Sequence, residues 1–136
     1  MRIKDLCKKA HKAAVDKGFW SKKSPEGYWS TRITRNISEL LMLVVSELGE
    51  ACEALRKGRR QDYKPVRLNV QLSKPNDTWK VFMRKVWLKD TFEDELADAV
   101  IRICDLAESE GIDLEWQIKE KMKYNETRPM KHGKNF

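Results

Sequence analysis

Histidine is scarce in this chain of 136 residues, with only two copies, His11 and His132. Neither stands three residues after a glutamate, so the Glu-x-x-His pairs of a di-iron helix bundle are excluded. A His-Asp doublet, the HExxH zinc motif and the G-x-x-x-x-G-K-[ST] phosphate loop are missing too. Cysteine is almost as rare. Cys7, Cys52 and Cys104 are odd in number, far apart, and form no C-x-x-C pair. Each sits among apolar residues of a helical pattern, which predicts buried, reduced thiols. Cys7 and His11 stand four apart, but no second pair completes a metal site with them. No apolar run approaches the roughly 20 residues of a membrane span. "MRIKDLCKKAHKAA" lacks the apolar core of a signal peptide. Internal repeats and low-complexity segments are absent. These gaps lead to the expectation of a soluble, cytoplasmic protein with no membrane association.

What is present points to a folded chain. Apolar residues make up 40% of the sequence and there are five tryptophans, which is too apolar for default disorder. The length suits one domain over residues 1–136, with room for one core. The formal charge of +7 suits an anionic partner, without distinguishing nucleic acid, nucleotide or phosphate. The basic clusters "KKAHK", "RKGRR" and "KHGK" are spread along the chain with no aromatic-rich RNA-binding signature. They read as solvated surface, so nucleic acid is not the favoured partner.

Periodicity predicts four helices. Ile3, Leu6, Cys7, Ala10, Ala13 and Ala14 mark the first, over residues 3–17, with Gly18 as its stop. "SKKSPEGYWSTR" reads as a loop. The second helix is expected from about Asn36 to Lys57, ended by Gly58. The third starts at Asp90 or Thr91 and runs to about Glu110, before Gly111. Asp113 caps the fourth, which runs to Glu126 or Thr127 ahead of Pro129. Between the second and third helices lies an irregular insert, about 59–89. Val66, Leu68, Val70 and Leu72 alternate with polar residues there, as in a short strand. Trp79, Phe82, Met83, Val86 and Trp87 fit a short helix slightly better than a strand. The tail "MKHGKNF" is expected to be extended. The sum is a mainly α, four-helix fold with an excursion.

The second helix carries an unusual pattern. "LLMLVV", residues 40–45, is apolar all round, which predicts burial on every side. Glu47, Glu50 and Glu53 follow at once. Carboxylates leaving a buried region need a counter-charge, and cations are the usual remedy. The third helix is also apolar over most of its circumference. Its polar remainder is one stripe of Asp94, Glu95, Asp98, Arg102 and Asp105. Each helix thus offers two acids at i, i+3: Glu47 with Glu50, and Glu95 with Asp98. If the helices pack together, four carboxylates converge. Such oxygens suit Mg²⁺, Mn²⁺ or Ca²⁺. The rival reading is solvated surface, with Asp98 and Arg102 as an exposed i, i+4 ion pair. On the fourth helix Lys121, Asn125 and Arg128 share one face, as phosphate ligands or as a solvated basic face.

"ELGE" followed by "ELAD" resembles the E-x-x-E … E-x-x-D signature of the MazG-like, all-α nucleoside triphosphate pyrophosphohydrolases. "RNISELLMLVVSELGEACEALRKGR" is similar to their second helix, and "HKAAVDKGFW" to their first. "TFEDELADAVIRICDLAESEGIDLEWQIKEKMKYNETRPMKHGKNF" is similar to their third and fourth helices and tail. The resemblance covers about three quarters of the chain. It implies a four-helix bundle that cleaves nucleoside triphosphates, dNTPs above all, to monophosphate and pyrophosphate. It implies Mg²⁺, with Mn²⁺ as a substitute, and a homodimer or homotetramer. Glu47, Glu50, Glu95 and Asp98 become metal ligands, Glu47 or Glu50 orients the attacking water, and Glu53 is an extra candidate. Lys121, Asn125 and Arg128 become substrate ligands, with Lys131, His132 and Lys134 in the tail as further candidates. Trp20 and His11 match positions near the nucleobase. The insert is longer than the family's usual gap, which affects substrate choice more than reaction type. The reading from another class is a non-catalytic basic helical module that binds nucleic acid or a protein partner.

Overall fold

The computed structural model describes residues 1–23, 29–30, 35–61 and 88–130. The described residues form four α-helices: α1 (Ile3–Asp16), α2 (Ile37–Arg56), α3 (Phe92–Ser109) and α4 (Leu114–Glu126). The fold class is all-α, as the periodicity predicts. The loop after α1 contains one short antiparallel pairing, β1 (Lys22–Lys23) with β2 (Trp29–Ser30). The strand expected at 66–72, the short helix expected at 79–87 and the extended tail at 131–136 lie outside the described residues. So do Lys131, His132 and Lys134. No helix among the described residues is long and apolar enough to cross a membrane.

The three glycine stops hold. Gly18, Gly58 and Gly111 all have positive φ, at 81°, 66° and 68°. Each closes its helix with the same pair of bonds. After α3, Gly111 N–H donates to Glu108 O at 3.2 Å and Ile112 N–H to Ala107 O at 2.8 Å. These satisfy carbonyls that the helix leaves without partners.

The chain divides into two compact units. One comprises Met1–Arg35 and Ile103–Phe136. Its core is a cluster of small side chains, Cys7, Ala10, Cys104 and Ala107, flanked by Ile3, Leu6 and Leu114. Small residues let helices approach closely. Burial, helped by a hydrogen bond with Cys7, pushes the Cys104 thiol up to about 12, so it stays neutral and unreactive. α1 packs on α4, and Lys4 N–H donates to Glu115 Oε2 at 3.1 Å. Asp113 caps α4 by accepting from Trp116 N–H at 3.0 Å.

The other unit is Asn36–Arg102. Asn36 caps α2, accepting from Ser38 N–H at 2.9 Å. Thr91, rather than Asp90, caps α3: its Oγ1 accepts from Asp94 N–H at 3.3 Å. The chain leaving α2 is tied to the start of α3. Phe92 N–H donates to Arg59 O at 3.1 Å, and Gln61 N–H donates to Glu93 Oε2 at 2.9 Å. Arg60 stacks its guanidinium 4.6 Å from the Phe92 ring centre.

Two features depart from what the apolar pattern predicts. The segment 40–45 is not buried on every side: Leu40 and Val44 are buried, while Leu41, Met42 and Val45 are exposed, Met42 by 62%. The buried positions of α2 form one stripe, and the remaining apolar positions lie at the surface. Cys52, expected to be buried, is exposed for the same reason; Cys7 and Cys104 are buried as expected.

Candidate metal centre

The buried stripe of α2 is Leu40, Val44, Glu47, Ala51 and Ala54. Its spacing of four, three, four, three is that of a packing seam, and Glu47 occupies a seam position that an apolar residue normally fills. The buried positions at the start of α3 are the cap Thr91, then Glu95 and Ala99. Glu47 and Glu95 are each only 6% exposed. Two carboxylates in a seam are expensive unless something balances them.

They lie together, and Glu50 joins them. One carboxylate oxygen from each of Glu47, Glu50 and Glu95 lies within 4.8 Å of the others. Glu50 is exposed and forms the open side of the group. Asp98, the fourth expected ligand, is exposed and falls outside this set. The group still feels it: its carboxyl is raised by loss of water first, then by Asp94, Glu47 and Glu50, with Arg102 pulling the other way. Glu53 turns away, pairing with Lys57 at 3.0 Å and Arg56 at 3.3 Å.

Electrostatics show the cost. Burial, the charge of Glu50 and a hydrogen bond with Glu47 push the Glu95 carboxyl from 4.5 up to about 7. Glu95 is therefore far easier to protonate than an ordinary glutamate. Arg102 supplies the main counter-charge, but it does not bond Asp98 as its i, i+4 spacing allows. Arg102 Nε instead donates to Glu47 Oε1 at 2.5 Å.

The donor set fits a divalent cation. All the ligand atoms are hard carboxylate oxygens, the type that Mg²⁺, Mn²⁺ and Ca²⁺ take. Three oxygens on one octahedral Mg²⁺ at about 2.1 Å lie about 3.0 Å apart where cis, and only one pair can be trans at about 4.2 Å. The group, whose oxygens lie within 4.8 Å of one another, would close inward to hold one ion.

The residues expected to contact substrate all belong to the other unit. His11 and Trp20 come together around a residue that sequence reasoning placed only in the polar stripe of α3, Asp105. The Trp20 indole N–H donates to Asp105 Oδ1 at 3.0 Å and Oδ2 at 3.2 Å, and His11 Nδ1 bonds Oδ1 at 2.7 Å. The His11 and Trp20 rings meet edge to face at 5.1 Å, and Arg35 lies 5.5 Å over the indole. Trp20 is buried. On α4, Lys121 and Arg128 both approach the Tyr124 ring, at 5.1 and 5.8 Å. Asn125 is exposed.

Compared with protein families, curated proteins and solved structures, the chain finds no match.

Proposed function

We propose that this protein is a Mg²⁺-dependent nucleoside triphosphate pyrophosphohydrolase, with its reaction centre at Glu47, Glu50 and Glu95. The observation that carries the reading is the convergence of those three carboxylates from two helices, two of them buried in a seam. The resemblance of "ELGE" and "ELAD" to the MazG-like signature supplies the reaction type. In this scheme Glu47, Glu50 and Glu95 bind the cation, and Asp98 joins as a fourth ligand. Mg²⁺ held there would neutralise charge on the triphosphate and make a nearby water more acidic. Glu47 or Glu50 would orient a water toward the α-phosphorus and take up its proton. The new P–O bond would form as the bond to the α–β bridging oxygen breaks, and pyrophosphate would leave with that oxygen. The roles of His11, Trp20, Lys121, Asn125 and Arg128 as substrate ligands rest on the resemblance alone. Homo-oligomerisation is favoured by apolar side chains left outside: Leu41, Val45, Leu48 and Leu55 on α2, and Leu96 and Val100 on α3.

The test is a turnover panel. Each ribo- and deoxyribonucleoside triphosphate is incubated with protein in Mg²⁺ or in EDTA, and products are separated by ion exchange. Monophosphate and pyrophosphate should form only with metal. Glu50→Gln and Asp98→Asn should lose turnover by about a hundredfold or more while keeping their helical circular dichroism. Full activity in either variant removes that residue from the centre.

A further inference from the structure

Arg102 is the one cation bonded to the acidic group among the described residues. Its bond uses Nε alone, and its side chain stays 41% exposed while that of Glu47 is 8% exposed. A guanidinium has five N–H donors in a rigid fork and stays charged at every working pH. Here one donor faces a buried carboxylate, and the side chain that carries the fork reaches solvent. Its hydrogen-bonded partner is one of the three carboxylates that converge.

Resting on the reading above, we infer that Arg102 exchanges partners: it is the counter-ion of Glu47 when no metal is bound, and a ligand to the substrate's phosphate oxygens once a divalent cation has taken that carboxylate. Two physical facts lead there. A cation bound at Glu47 repels a guanidinium 2.5 Å from the same carboxylate. Metal and arginine therefore compete. The displaced fork is then a charged, multi-donor group beside a metal centre, the geometry that suits bidentate binding of phosphate. Arginine thus guards the acids in the empty site and turns to the anion in the loaded one. Lysine, a point charge with no fork, performs the first role in part and the second poorly.

The test uses Arg102→Met, which keeps the apolar stem, and Arg102→Lys, which keeps the charge. Free Mn²⁺ is followed by electron paramagnetic resonance during titration of each protein. Arg102→Met should bind Mn²⁺ about tenfold more tightly than wild type, with Arg102→Lys between them. In EDTA, Arg102→Met should melt below wild type, because Glu47 has lost its partner, and Mn²⁺ should close that gap. In excess Mg²⁺, inorganic triphosphate should raise the melting temperature of wild type and have little effect on Arg102→Met. Equal or weaker Mn²⁺ binding by a folded Arg102→Met overturns the exchange and leaves the metal reading intact. Equal stabilisation of both proteins by triphosphate overturns the phosphate role. Failure of every protein to bind Mn²⁺ removes the metal reading and this inference together.

Discussion

At the scale of single residues, the most consequential feature is a pair of buried acids, Glu47 on α2 and Glu95 on α3. Glu95 keeps its proton up to about pH 7 in the folded chain but ionises near 4.5 when unfolded. Between those values the folded state binds more protons than the unfolded one. Stability must therefore fall as pH rises through that window. Asp98 is raised as well and adds the same sign. In EDTA, urea unfolding at about pH 5 should give a higher stability than at about pH 7.5, by on the order of 2 kcal/mol. Glu95→Gln carries no such proton and should lose most of that slope. A variant that keeps the full slope places the titration elsewhere. The i, i+3 spacing of each acid pair is local and legible in the sequence, but the group that converges holds Glu47, Glu50 and Glu95 without Asp98. The partner of Arg102 was not legible. Its spacing offers Asp98 four residues away, whereas the bond goes to Glu47, on another helix. Asp105 was hidden similarly, since its bonds to His11 and Trp20 span 94 and 85 residues.

At the scale of elements, the ends of the helices were the most readable features. Caps and glycine stops depend on chemistry within a few residues. Asn36 and Asp113 accept the first amide protons of their helices, and Gly18, Gly58 and Gly111 adopt positive φ at the far ends. Two glycines should respond in opposite directions. Gly111 has a φ of 68° with open space around its missing side chain, so Gly111→Ala meets backbone strain rather than a clash. It should cost about 1 kcal/mol. Gly49 lies inside α2, also with open space, and Gly49→Ala should stabilise by roughly 0.5–1 kcal/mol. Thermal melts of both variants decide this. Shifts of one sign in the two would mean that the local backbone is not what sets them. The outward face of α2 departs from its apolar pattern because burial depends on how many neighbours a helix has. A local apolar run cannot state that number.

At the scale of the whole molecule, that outward face sets the expected association state. Leu41, Val45, Leu48, Cys52 and Leu55 repeat at four, three and four, three along α2, all exposed. Among the described residues the row is a second apolar seam that stays exposed. Light scattering should give at least twice the 16.0 kDa chain mass. Val45→Glu together with Leu48→Glu should return the monomer with its helicity kept. A wild-type monomer at about 100 µM, well above the Kd of a stable pair, sinks that expectation.

The hydrogen bond from Phe92 to Arg59 has an architectural consequence. It brings the two flanks of the insert to within 3.1 Å at the backbone, next to the helices that bear the acids. The bond clamps the exit of α2 to the entry of α3 at their described ends, so the spacing of the two acid-bearing helices is held there through the backbone itself. The cost of closing the chain between those ends grows only slowly with its length.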